Sequence, residues 1–172
     1  MSGGSTEAEL ADAARRLGDA LRAAGWRLST AESSTGGLIG HSITMIPGSS
    51  DYYPGGVISY SNRAKEVELG VAAALLDEHG AVSEAVAMAM AEGVRDRFHT
   101  ELGIAVTGVA GPDGGSDAKP VGTHWIGVAL RGHPARAEHR HFGHDREGNK
   151  AAAALAALDL GLAEILAASP AQ

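Results

Sequence analysis

Three short stretches hold the residues best able to do chemistry: "TAESSTGG" (residues 30–37), "YSNRAK" (60–65) and "TGVAGPDGG" (107–115). Together they supply Glu32, Ser33, Ser34, Thr35, Tyr60, Lys65 and Thr107, framed by glycines. A serine oxygen attacks an acyl carbon when a nearby group takes its proton, and lysine does this once burial lowers its pKa. A glycine-rich turn opening a helix can aim free N–H groups at an anion, which draws Thr35, Gly36 and Gly37 into the candidate site. In the third stretch, glycines such as Gly108 let a ligand approach the backbone beside Thr107. Each stretch also has a plainer reading: a capped turn, a solvated lysine, an ordinary glycine loop. "PGSS" (47–50) adds Ser49 and Ser50; an ordinary Pro-Gly turn is the plainer reading and the preferred one for Ser49.

The chain has no cysteine, which excludes disulfides, thiolate metal sites and a cysteine nucleophile. Its histidines cluster in "EHRHFGH", where His139 and His141 would share a strand face with His144 nearby. No HExxH or spaced carboxylate pair accompanies them, so they read as a wet strand face rather than a metal site.

The elements that must position these residues follow from periodicity. Leu10, Ala14, Leu17, Leu21 and Ala24 form one helical stripe that ends at Gly25. Residues 26–32 read as a strand, 36–45 as a helix, and 55–61 as a second strand leading to a helix capped by Asn62. Ser83 caps another helix with Val86, Ala89, Met90 and Val94 inward. Strands follow at 104–109, 124–130 and 135–142. The last two are separated only by residues 131–134 and so form an antiparallel hairpin. Asp145 caps a final alanine-rich helix ending near residue 168. This alternation predicts an α/β fold: a three-layer α/β/α sandwich with a mixed sheet of about five strands and one antiparallel hairpin. In such sheets, sites form beyond the carboxyl ends of strands, where the three polar stretches fall.

The 172 residues suit one domain, with a short flexible tail at residues 1–5. The formal charge of −7 without a basic run, and only 4% aromatic residues, argue against nucleic acid as a partner. No signal-peptide core is visible, and Asp159 and Glu164 interrupt the apolar C-terminal run, so no membrane span is expected and the chain is placed in the cytoplasm.

The three stretches, with "PGSS", "GGVISYSNRAKEVELGV", "HGAVSEAVAMAMAEG" and "KPVGTHWIGVA", resemble in order the CinA C-terminal domain family. Its enzymatic members are nicotinamide mononucleotide deamidases. The resemblance implies hydrolysis of that nucleotide's carboxamide to nicotinic acid mononucleotide and ammonia, with no cofactor and no metal. It places site residues at Ser33, Ser50, Tyr60, Lys65, Thr107 and Arg146. In that reading Lys65 is the base, acting on Ser33 or through Ser50, and the Tyr60 phenol orients it or shares its proton. Amides of Thr35–Gly37 would serve an oxyanion or phosphate, and Arg146 the phosphate. Which serine attacks stays open. Relatives commonly carry cysteine at the position of Ser34, so Ser34 reads as a packing residue. The resemblance also implies a homodimer. A non-catalytic nucleotide-binding or interaction domain linked to competence or DNA damage is the alternative.

Overall fold

The computed structural model describes residues 6–168, so the tail expected at residues 1–5 lies outside the described residues. The first helix, α1 (Glu7–Ala24), starts at a capping box between Thr6 and Glu9 and stops at Gly25, whose φ is +68°. Strand β1 (Leu28–Glu32) follows, then α2 (Leu38–Thr44), a 3-10 turn (Ser49–Asp51) and β2 (Gly55–Ile58). Helix α3 (Asn62–Leu69) leads through α4 (Ala73–His79) to α5 (Glu84–Phe98). Strands β3 (Leu102–Gly108), β4 (Thr123–Leu130) and β5 (Arg136–His141) precede the long helix α6 (Arg146–Ala168).

The sheet has the order β2-β1-β3-β4-β5. Strands β1, β2 and β3 are parallel, while β4 is antiparallel to both β3 and β5. The mixed five-strand sheet is therefore as expected, with a second antiparallel pair made by the glycine-rich loop that joins β3 to β4.

Period-two alternation sorts the layers. Leu28, Leu102, Ile104, Val106, Ile126, Val128 and Leu130 share one core with α1, α2 and α6. The opposite face offers Ala31, Ala105 and Ala129 to α5, with Leu69 of α3 and Leu76 of α4 in the same core. Gly103 and Gly127 belong to this small-residue face. A Cβ on Gly103 would lie 2.1 Å from the Ala91 carbonyl oxygen, and one on Gly127 2.3 Å from that of Ala87. Helix α5 thus rests directly on the sheet backbone. On its far side, a Cβ on Gly93 would lie 2.0 Å from the Leu69 carbonyl oxygen, so α3 meets α5 main chain to main chain.

Four local expectations shift. Gly36 and Gly37 are left-handed (φ +61° and +103°), so α2 begins at Leu38 rather than Gly36. Ser61, not Asn62, caps α3 by accepting from the Ala64 amide. Helix α4 had no signal, being short and without a side-chain cap. Helix α6 is long and apolar enough to cross a membrane despite Asp159 and Glu164. Here its inner face, including Ala153, Ala157 and Leu158, is buried in the α1–α2 core. Glu164 pairs with Arg136 at 2.8 Å and Asp159 with Arg16 at 3.3 Å.

The α5 contact makes a direct prediction. Gly103→Ala pushes a methyl into backbone that cannot yield, and should cost about 1–3 kcal/mol in denaturant titration. An unchanged midpoint would contradict the close approach.

Candidate active site

Alternation at the end of β1 divides the first polar stretch between the two faces of the sheet. Glu32 points to the α2 side, where it is buried. Its carboxylate accepts from the Thr35 hydroxyl at 2.7 Å and from the amides of Gly37, Ile39 and Gly40 at 3.0, 3.0 and 2.8 Å. The positive end of α2 is therefore neutralised by the protein's own carboxylate. The Gly36 amide donates to the Ser33 carbonyl and that of Leu38 to the Thr35 carbonyl. The glycine amides expected to hold a ligand anion are thus engaged inside the loop. They border a separate cavity of about 830 Å3 on the α1–α6 side, together with Lys150 and Arg146.

Ser33 turns the other way. Its amide continues the ladder to the Val106 carbonyl at 3.0 Å, and its hydroxyl meets Lys65. Lys65 lies in the first turn of α3, and its side chain is 1% exposed. Its Nζ donates to Ser33 Oγ at 3.0 Å, to the Ser59 carbonyl at 2.8 Å and to the Tyr60 carbonyl at 3.3 Å. Among the described residues no carboxylate pairs with it. Burial without a counter-charge lowers its pKa from 10.5 to about 8. In the neutral amine, two N–H bonds satisfy the two carbonyls, and the lone pair is left facing Ser33. Carbonyls cannot donate, so of the three partners only the serine hydroxyl can give that lone pair a proton.

This pair opens into a cavity of about 280 Å3 that also receives Tyr60, Thr107, Gly108 and Arg146. Thr107 is held by donating to the Ala81 carbonyl at 2.8 Å. Gly108 lies opposite His124 in the ladder, and a Cβ there would meet the imidazole at 2.1 Å. Tyr60 touches Lys65 through its main chain, not its phenol. The phenol is exposed and accepts from Arg146 at 3.2 Å. Arg146 also donates to the Gly111 carbonyl and borders both cavities. Asn149 is fully buried, donates to the Ala110 carbonyl at 3.0 Å and accepts from the His144 amide, tying the glycine loop to the start of α6.

Ser50 is not brought to this place. It is exposed on the 3-10 turn after α2, next to Tyr52, whose carbonyl accepts from the first residue of β1. That is the amino end of the sheet, whereas Lys65 lies at the carboxyl end, so within one chain the two do not meet. Sequence reasoning undervalued two residues. Glu32 was visible only as one polar atom set among several. Ser34 is 95% buried by its 5% exposure, lines the Lys65 cavity, and its hydroxyl has no partner. No group of three His, Cys, Asp or Glu side chains able to hold a metal occurs among the described residues.

Two measurements check this geometry. Between pH 8 and about 10 the unfolded chain keeps a lysine proton that the folded chain has released, so folding stability rises with pH. Lys65→Met removes that rise, because the group that titrates is gone. Parallel stability–pH curves for the two proteins would refute the depressed lysine. Glu32→Gln, which sets an NH2 group against amide donors, should cost about 2 kcal/mol in urea titration. A loss within error of zero would show that the carboxylate is dispensable.

Comparison with known proteins agrees with this architecture. Residues 10–165 match the family described as the CinA C-terminal domain. A CinA-like protein of Salinibacter ruber is 54% identical over 83% of this chain, which corresponds to 34% of that longer protein. A CinA-like protein of Gemmatimonas aurantiaca is 59% identical over 61% of the chain and 24% of its own length. The chain thus spans about a third of one of these relatives and about a quarter of the other. In contrast, the nicotinamide-nucleotide amidohydrolase PncC of Enterobacter agglomerans is 42% identical over 94% of this chain and 98% of its own. The crystal structure of the competence/damage inducible protein CihA from Agrobacterium tumefaciens superimposes with a TM-score of 0.88 at 36% identity, covering 96% of this chain and 99% of that one. On sequence and fold together, the chain belongs to the CinA C-terminal domain family.

Proposed function

We propose that this protein is an amidohydrolase that converts nicotinamide mononucleotide to nicotinic acid mononucleotide and ammonia. The observation that carries the reading is the buried Lys65 amine, with its pKa near 8, in contact with Ser33 Oγ at 3.0 Å in a cavity wall. The full-length relative named as a nicotinamide-nucleotide amidohydrolase supports the choice of substrate.

Neutral Lys65 takes the Ser33 proton as Oγ attacks the carboxamide carbon, forming a tetrahedral intermediate. The intermediate collapses with breakage of the C–N bond, and Lys65 returns the proton to the departing ammonia. Water then attacks the acyl-serine while Lys65 again accepts a proton. Breakage of the ester releases the acid and restores Ser33. The sequence needs water as the only co-reactant. Arg146 and Lys150 border the adjoining cavity without a carboxylate partner among the described residues, which suits the nucleotide phosphate there. The homodimer implied by the resemblance and the cytoplasmic setting expected from the sequence are part of the same proposal.

Purified protein should release ammonia from nicotinamide mononucleotide. Lys65→Ala and Ser33→Ala should each lower kcat by about 10²-fold or more. Because the base works deprotonated, kcat/KM should climb as pH passes through about 8 and level off above it. Ser50→Ala should retain wild-type turnover. A loss there equal to that of Ser33→Ala would mean that a second copy of the chain delivers Ser50 to the site. Wild-type turnover by Lys65→Ala would defeat the mechanism, and no ammonia from wild type would defeat the substrate assignment.

A further inference from the structure

A tetrahedral intermediate at Ser33 needs a hydrogen-bond donor for its oxygen, and many of the nearby amides and hydroxyls already serve other acceptors. The Ser33 amide is given to the Val106 carbonyl, Gly36 to Ser33, Leu38 to Thr35, and Gly37, Ile39 and Gly40 to Glu32. The neutral Lys65 amine gives its two N–H bonds to the Ser59 and Tyr60 carbonyls. Thr107 donates to Ala81. Ser34 differs from these groups. Ser34 is 5% exposed, lines the same cavity as Ser33 and Lys65, and carries a hydroxyl with no partner. A buried hydroxyl without a partner is unfavourable in the free protein, and a group of complementary polarity entering the cavity removes that penalty.

We infer that Ser34 Oγ–H donates to the carboxamide oxygen of the substrate and holds the negative charge that oxygen acquires when Ser33 attacks. Ser34 is thus a second substrate-contacting residue, one step along the chain from the nucleophile. No bond to Ser34 forms or breaks: its proton stays on Oγ, and the hydrogen bond shortens as the C=O becomes C–O⁻. Direct neighbours in sequence can serve one carbonyl because the chain leaves β1 at Ser33 and turns before Gly36. The assignment rests on the amidase reading above.

The deciding comparison is Ser34→Ala against wild type and Ser34→Cys, with nicotinamide mononucleotide as substrate and ammonia as readout, each protein also followed in thermal unfolding. A donor used mainly in the transition state predicts a kcat about 10²-fold lower in Ser34→Ala with little change in KM. The same variant should unfold at or above the wild-type temperature, because a partnerless buried hydroxyl has been removed. Ser34→Cys, with a weaker donor of similar size, should fall between the two in kcat. Wild-type kcat in Ser34→Ala overturns the assignment, and so does a Ser34→Cys kcat below that of Ser34→Ala. If wild type itself releases no ammonia, the amidase reading falls and this assignment with it. An active wild type matched by Ser34→Ala defeats this assignment alone.

Discussion

A lysine amine enclosed by neutral oxygens is the constraint on which the rest of this protein turns. Taking an ammonium out of water costs several kcal/mol unless an opposite charge repays it. Lys65 has two carbonyls and a hydroxyl instead. The amine is held where it loses its proton with little provocation, yet the two carbonyls fix its orientation whichever state it is in. A carboxylate at the same distance would orient it equally well and would keep it charged, ending its use as a base.

The sheet creates that environment by separating charges. Glu32 and Ser33 are adjacent, but strand alternation sends the carboxylate to the α2 side and the hydroxyl to the α3 side. One residue of slip would bring the carboxylate to the amine. On the α2 side the carboxylate satisfies three amides and a hydroxyl, so its own burial is compensated by hydrogen bonds. The charged group that would spoil the lysine is the one that builds the loop carrying the serine.

Much of this was legible before any coordinates. The stripe Leu10–Leu21, the stop at Gly25 and the caps Ser83 and Asp145 follow local rules, and Asp145 does accept from the Gly148 amide. The placement of Ser33, Tyr60, Lys65, Thr107 and Arg146 around one cavity came from a resemblance covering several loops in order. What stayed hidden depends on direction in space. Capping rules look for an oxygen at the residue before a helix, so a strand-end carboxylate reaching the amides of α2 goes unnoticed. Ser50 looks near in a motif, yet α2 runs back across the sheet and leaves it at the wrong end. Tyr60 contributes its carbonyl where its phenol was expected. A hydroxyl without a partner, as at Ser34, has no signature in a string of letters.

The main-chain contact between Gly93 of α5 and the Leu69 carbonyl of α3 bears on how the lysine behaves over time. An exposed lysine escapes an apolar wall by swinging its flexible stem toward water. Here the stem rises from a helix that cannot tilt away, because its last turn is seated on another helix which is itself seated on the sheet backbone. With its helix held in this way and its amine on three fixed oxygens, little reorganisation accompanies the change in its charge.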